Sequence, residues 1–165
     1  MLKKLRFTKK VKKEIKDLMK KFPDIEWAGY IFGKETKTGF TITDLLVPDQ
    51  KQFTAYVQLE PVLYKIKIKN KLLGLIHSHH VMGAFFSSID KKHFLDFDVS
   101  VIVSFKNIIA KKRKSFDEKD IVEDLHIVGE KGFVENLKTV IQDNIKKTMF
   151  QEQDELKDFF IFELP

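Results

Sequence analysis

Two histidines separated by one residue, and then a serine and an aspartate, form the stretch of this sequence that is best suited to binding a metal and catalysing hydrolysis. It runs His77-Ser78-His79, seven residues, Ser87, two residues and Asp90. Alternate side chains on a strand point to the same side, so both imidazoles can converge, and a carboxylate in the next helical turn can meet them. Two nitrogens and one oxygen can hold zinc and leave a fourth position to water, which is typical of a catalytic site.

A glutamate and the same serine supply the other groups that hydrolysis needs. Glu26 precedes Trp27-Ala28-Gly29-Tyr30 in an otherwise apolar segment. Zinc lowers the pKa of bound water to about 7. A partly buried Glu26 carboxylate near that water can accept its proton and pass it to the leaving amine. The Ser87 hydroxyl can donate to the developing oxyanion.

Each of these residues also has a structural interpretation. His77 and His79 taken alone fit ordinary strand-end histidines, and Glu26 alone fits a surface acid. Asp90 fits an acid at a helix N-terminus and Ser87 a helix cap, roles that can coexist with catalysis. The combined spacing favours the metal site.

Five neighbours are candidates for supporting the ligands or contacting substrate. His80 fits a supporting role better than that of a fourth ligand, which would fill the water position. His93 follows the aspartate by three residues, on the same helix face. Met82 and Phe85 either contact substrate or pack the loop, and Ser78 lies between the two histidines.

The elements that must position these residues mix helices and strands. Apolar residues at helical spacing predict a helix from the Thr8 cap to about Phe22. Further helices are predicted over 87–94 and 134–149, and residues 60–70 fit either a helix or a strand. Alternating or continuous apolar runs predict strands over 27–32, 40–47, 53–59, 72–76, 99–105, 108–113 and 121–128. This pattern predicts the α+β (mixed α/β) class.

Composition limits the classes of protein that the chain can be. It has 165 residues, 43% of them apolar, which suits a single domain over 1–165 with a core at about 8–150 and a tail at 151–165. The absence of cysteine excludes disulfides and thiolate zinc sites. We see no apolar run near the roughly 18 residues of a membrane span and no secretory signal, so we expect a cytoplasmic protein without a membrane partner.

The net charge of +6 belongs to the N-terminal segment. Residues 1–21 hold ten basic residues against two acidic ones, whereas the rest has 20 basic and 22 acidic residues. We interpret the lysines as a solvated helix face. A nucleic-acid partner is disfavoured because Arg6 and Arg113 are the only arginines.

The full pattern resembles the JAMM (MPN-plus) metalloprotease motif. Glu26 and the HxH-x7-SxxD spacing match it without a gap, and residues 29–33 and 74–76 are also similar. The resemblance covers about residues 25–128. It departs at His80, where many members have proline, and we see no clear equivalent of the insertions that give some members ubiquitin-chain selectivity.

The resemblance implies a fold, an activity and residue roles. The fold would be a mixed sheet of cytidine-deaminase-like character flanked by helices, with one zinc per chain. His77, His79 and Asp90 would bind the zinc, Glu26 would be the general base and acid, and Ser87 would assist the tetrahedral intermediate. Family members cleave peptide or isopeptide bonds, and the C-terminal tail of a ubiquitin-like protein is one candidate substrate.

Two alternatives stay open at this point. MPN domains that lack the metal residues serve as non-catalytic scaffold or binding modules. A metal hydrolase acting on a non-peptide substrate such as nucleic acid is the other alternative, suggested by a distant relative and the basic N-terminal helix. The sequence leaves the oligomeric state open.

Overall fold

The computed structural model describes residues 2–52, 57–59, 70–88, 90, 97–114 and 122–160, and most of its strands form one mixed sheet. In chain order the described elements are β1 (Lys4–Phe7), α1 (Lys9–Lys21), β2 (Ala28–Thr36), β3 (Gly39–Leu46), β4 (Gln50–Gln52), β5 (Val57–Leu59), β6 (Lys71–His80), β7 (Val99–Ser104), β8 (Ile108–Arg113), β9 (Val122–Asp124), β10 (His126–Ile127) and α2 (Glu130–Phe160). The eight-stranded sheet has the order β10-β1-β3-β2-β6-β7-β8-β9, while β4 and β5 form a separate pair.

The strand that carries the histidines lies inside the sheet. β6 pairs antiparallel with β2 and parallel with β7. Gly74 permits the second pairing, because a Cβ there would overlap the carbonyl oxygen of Val99. The C-terminal end of β6 is therefore held on both sides, which fixes the backbone from which the histidines project.

The two edges of the sheet are joined by one short segment. β9 pairs with β8 and β10 pairs with β1, yet only Leu125 separates β9 from β10. The Leu125 amide donates to the carbonyl of Ala110 at 2.9 Å, and the His126 amide donates to that of Lys3 at 2.9 Å. The sheet must therefore curl until its edges approach each other.

Both described helices pack apolar faces against the main core. Thr8 caps α1, since its side chain accepts a hydrogen bond from the Val11 amide. The residues that α1 buries in the core are Val11, Ile15 and Met19, and those that α2 buries are Phe133, Val134, Leu137 and Val140. A mixed sheet with flanking helices confirms the predicted α+β class.

Several element boundaries differ from the predicted ones. The predicted strand over 72–76 continues to His80 because β7 still offers partners there, whereas the pairing with β2 ends at His77. The single strand predicted over 121–128 is two strands, since its halves pair with opposite edges of the sheet. The helix predicted over 134–149 runs over Glu130–Phe160, so the part of the expected tail at 151–160 is helical.

Two strands, β1 and β4, were not predicted, and several predictions cannot be compared. β1 lies in the basic N-terminal segment, before the start of the core expected at residue 8, and its partners β3 and β10 are distant in sequence. Residues 53–56, 60–69 and 91–96 lie outside the described residues. They include most of the strand predicted over 53–59, nearly all of the ambiguous segment 60–70 and the end of the helix predicted over 87–94.

Asp44 is expected to stabilise the fold in a pH-dependent way. Its carboxylate accepts from Asn70 Nδ2 at 2.9 Å and Thr43 Oγ1 at 2.7 Å and contacts Lys10 Nζ at 3.0 Å. These hydrogen bonds lower the pKa of Asp44 from 3.8 to about 2, and the one from Asn70 contributes most. We expect Asp44→Ala to lower the free energy of unfolding at pH 7 by about 1–2 kcal/mol.

The pH dependence follows from the sign of the shift. A lowered folded pKa gives stability that is complete above the unfolded value of 3.8 and is lost as the pH falls through about 2. Urea unfolding should therefore show the difference between wild type and Asp44→Ala shrinking at acid pH. Asp49→Ala, at an exposed aspartate nearby, is the matched control. A difference that stays constant down to pH 2 would contradict this role of Asp44.

Among the described helices, none combines the length and apolar character needed to cross a membrane. The cytoplasmic location stays a prediction.

Candidate metal centre

Three buried side chains bring their ligand atoms to one point. His77 Nε2 lies 3.1 Å from His79 Nε2 and 3.1 Å from Asp90 Oδ1, and His79 Nε2 lies 3.6 Å from Asp90 Oδ2. Bond lengths of about 2.0–2.1 Å at tetrahedral angles place zinc ligand atoms about 3.3 Å apart. The observed distances span that value, so the three residues fit a zinc ion.

The backbone of β6 explains why the two histidines converge. His77 lies opposite Ala28 of β2 and Ile102 of β7, so it is held within the sheet. The pairing with β7 shifts register between Ser78 and His80, which marks His79 as a bulge. Bulges redirect a side chain and are frequent next to active sites. Here both imidazoles present Nε2 to the same point.

Ser87 and Asp90 hold each other in a reciprocal helix cap. The Ser87 amide donates to Asp90 Oδ2 at 2.7 Å, and the Asp90 amide donates to Ser87 Oγ at 3.2 Å. The cap orients the Asp90 carboxylate toward the histidines. Ser87 Oγ accepts in this pair, and the Ser87 side chain also hydrogen-bonds the Asp90 carboxylate, which helps to lower the pKa of Asp90.

The electrostatics of the three candidate ligands favour metal binding. Burial alone raises the pKa of Asp90, but hydrogen bonds from His77 and His79 outweigh it and hold that pKa well below its usual range. Burial lowers the pKa of His77 against the opposing effect of Asp90, so its neutral, ligating form is favoured. Burial also lowers the pKa of His79, but the hydrogen bond and charge of Asp90, together with the charge of Glu26 and a backbone hydrogen bond at Gly83, outweigh burial and raise that pKa.

Glu26 lies beside this cluster with only 4% of its surface exposed. Burial raises its pKa to about 7, against the opposing charge of His79 and with a further rise from Asp90. A carboxyl group with a pKa near the working pH can both accept and return a proton. The structure therefore places a buried carboxyl group of raised pKa next to the three candidate ligands.

Two side chains from other elements fasten the segment that carries Glu26. The Trp27 amide donates to Ser78 Oγ at 3.0 Å, and the Ser78 amide donates to the Trp27 carbonyl at 2.9 Å. On Ala28, Gln50 Oε1 accepts from the amide at 2.8 Å and Gln50 Nε2 donates to the carbonyl at 3.0 Å. Ser78, which is fully buried, therefore supports the site rather than contacting substrate.

The loop after β6 is anchored by Asn107, which lies between the strands predicted over 99–105 and 108–113. Asn107 Oδ1 accepts from the Ala84 amide at 2.7 Å, and Asn107 Nδ2 donates to the Ala84 carbonyl at 3.2 Å. Its position in the β7–β8 turn is the usual setting for asparagine. No motif or spacing in the sequence predicts that Asn107 or Gln50 supports the segments of the candidate metal centre.

Exposed apolar side chains occur on the segments that carry Glu26 and the histidines. The Phe85 ring meets the His79 ring edge-on, with centroids 4.9 Å apart, and 48% of Phe85 is exposed. Met82 is 58% exposed. The other large apolar side chains exposed in this region are Ile25 and Val81. These four residues are called the apolar rim below.

His80 and His93 complete the predicted set. His80 ends β6 with a φ of 51°, which residues other than glycine rarely adopt. Its ring is buried, its pKa is lowered by burial, and it is not part of the described metal cluster. Neither ring nitrogen has a hydrogen-bond partner among the described residues. His93 lies outside the described residues.

Comparison with known sequences gives one family and several relatives. The family described as prokaryotic homologs of the JAB domain matches residues 8–118. A human AMSH-like protease is 40% identical over 70 residues, and a zebrafish STAM-binding protein-like A is 39% identical over 70 residues. Each match covers 40% of this chain, but only 16% of the human protein and 17% of the zebrafish protein.

Solved structures share the fold at low sequence identity. A protein from Desulfitobacterium hafniense is 20% identical to this chain and superposes with a TM-score of 0.59. The match covers 75% of this chain and 91% of the chain of that protein. A JAB1/MPN domain protein from Archaeoglobus fulgidus is 18% identical, with a TM-score of 0.48. That match covers 76% of this chain and 98% of the chain of the archaeal protein. The first likeness shows a common fold.

Proposed function

Because this chain belongs to the family of prokaryotic homologues of the JAB domain, we propose that it is a zinc-dependent hydrolase that cleaves a peptide or isopeptide bond. The observation that carries the proposal is the meeting of His77 Nε2, His79 Nε2 and the Asp90 carboxylate beside a buried Glu26. A purely structural cluster has no need of a neighbouring carboxyl group whose pKa is raised to about 7.

The mechanism assigns one task to each residue. His77, His79 and Asp90 would hold the zinc, which supplies a polarised carbonyl and a water of lowered pKa when bound. Glu26 accepts the proton of the attacking water and delivers it to the departing amine nitrogen. The Ser87 hydroxyl donates a hydrogen bond to the carbonyl oxygen as negative charge develops there.

The proposed substrate is a polypeptide. The sequence relatives include a protein named as a protease, and this supports a peptide or isopeptide bond over a bond in nucleic acid. The apolar rim supports a substrate that brings apolar side chains to Phe85, which contacts the His79 ring. The C-terminal tail of a ubiquitin-like protein is a suitable candidate, because an extended tail can be held by backbone hydrogen bonds along a sheet edge.

Removal of the metal should abolish the activity. We expect the zinc-loaded protein to release a reporter from a ubiquitin-like tail through a peptide or an isopeptide bond. Treatment with 1,10-phenanthroline should stop the release, and added zinc should restore it, because neither the water nor the carbonyl is activated without the metal. Reporter fluorescence over time gives the measurement.

The same assay separates hydrolysis from the scaffold alternative. Glu26→Gln, loaded with zinc, serves as the control for a contaminating protease. If fully loaded wild type releases no reporter from a peptide or an isopeptide bond, the peptidase proposal fails and a binding module is favoured. Release that survives complete removal of zinc would also contradict the proposed mechanism.

A further inference from the structure

A basic groove between the two helices has no part in the proposed hydrolysis. Its volume is about 420 Å³. α1 contributes Lys9, Lys12, Lys13 and Lys16 to its walls, and no acidic residue lines it within the part of the chain that the structure describes. It lies along the first two turns of α1, whereas Glu26 follows the end of that helix. The groove is called the lysine groove below.

The four lysines lie on one face of α1 although their charges repel. They are spaced three and four residues apart, so each has like-charged neighbours on the helix surface, an arrangement that destabilises a helix. Among the described residues only Lys13 has an acidic partner, Asp17 at 2.7 Å. The Lys12 ammonium lies 5.5 Å from the centre of the Phe133 ring. This stripe therefore carries an electrostatic cost that an acidic occupant would relieve.

The opposite wall, from the first turns of α2, meets the lysines only at one end, where Lys16 Nζ donates to Asn136 Oδ1. A Cβ placed on Gly132 would meet no atom within 4 Å. Phe133 lines the groove but is only 6% exposed, so it forms an apolar floor. An extended chain with carboxylates on one side could lie between this floor and the lysines.

We propose that the lysine groove binds an acidic polypeptide segment of a partner protein. Charge complementarity is the basis, because the lining holds four lysines and no acidic residue, and of these lysines only Lys13 has an acidic partner among the described residues. Nucleic acid fits less well. The buried Phe133 offers no stacking platform to single-stranded bases. Neither Arg6 nor Arg113 lines the groove.

The test measures binding to the full-length chain at low and at physiological salt. The probe is a fluorescein-labelled oligoglutamate peptide followed by anisotropy, with labelled oligothymidylate of matched charge as the comparison. The groove variant is Lys9→Glu with Lys12→Glu. The matched control is Lys34→Glu with Lys37→Glu, which changes the net charge equally at two exposed lysines elsewhere.

We expect the groove variant to bind the peptide at least about tenfold more weakly, and the control to stay within about twofold of wild type. The groove variant should melt no lower than wild type, because an acid in the first turn of a helix is favourable and the lysine repulsion is reduced. This separates a binding role from a role in stability.

Three results would overturn the proposal. Equal weakening in both variants would show that net charge alone attracts the peptide. Tighter groove-dependent binding of oligothymidylate than of the peptide would point to nucleic acid. No peptide binding at low salt would remove the site altogether. None of these results depends on whether the metal centre hydrolyses anything, so the proposal fails or stands independently of the proposed function.

Discussion

Replacing Glu26 with glutamine is expected to lower kcat by about 10²- to 10⁴-fold while the zinc content stays that of wild type. Glutamine keeps the size of the side chain but can neither accept the proton of the attacking water nor return one to the leaving amine. Glu26 is not among the three candidate ligands, so metal binding should survive. Turnover and zinc content are measured on the same sample.

The control for this variant is Glu35→Gln, which changes an exposed glutamate near the end of β2. It should keep wild-type kcat. If Glu26→Gln keeps its turnover, Glu26 is not the general base and acid. If the variant loses both zinc and turnover, Glu26 is a metal ligand instead.

The metal-free chain provides a second readout for Glu26. Its folded pKa is raised from 4.5 to about 7, so its stabilising contribution is complete below pH 4.5 and is lost as the pH rises through about 7. The glutamine variant stays neutral and should not lose stability in this range. Wild type should therefore lose stability relative to Glu26→Gln between pH 5 and pH 8, as thermal unfolding of the metal-free proteins can show.

Replacing Asp90 with alanine is expected to weaken zinc binding by at least about 100-fold. Loss of a residue that only supports a metal ligand costs about 10- to 100-fold in affinity, and a direct ligand should cost at least as much. The two histidines that remain would leave the metal with half of a tetrahedral site. Competition with a chromophoric chelator gives the affinity.

Asp90 also forms part of the cap with Ser87, so a structural effect must be separated from a ligand effect. Asp124→Ala, at an exposed aspartate of β9, is the matched control and should bind zinc as wild type does. Zinc should raise the melting temperature of wild type and of this control, but not that of Asp90→Ala. An unchanged affinity in Asp90→Ala would remove Asp90 from the ligand set.

The site could be predicted where local geometry determines it. Alternation along a strand predicts that His77 and His79 share a side, and the structure brings their Nε2 atoms within 3.1 Å. Asp90 could be predicted for a similar reason, since a serine three residues earlier forms the cap that orients it. The roles of Glu26 and Ser87 in turnover stay predictions.

The supporting contacts could not be predicted, because they join residues that are distant in sequence. Gln50 reaches Ala28 across 22 residues, and Asn107 reaches Ala84 across 23. β1 was missed for the same reason, since its partners come from β3 and β10 rather than from neighbouring residues. Side chains such as Gln50 and Asn107, which hydrogen-bond the backbone of a distant segment, leave no periodic pattern in the sequence.

The most direct test of the metal centre is the zinc content of wild-type protein, measured by elemental mass spectrometry after zinc is offered and the excess removed. Binding by His77, His79 and Asp90 predicts about one zinc per chain. A chain that holds no zinc under these conditions would contradict the metal centre, and the mechanism proposed for Glu26 and Ser87 would lose its basis.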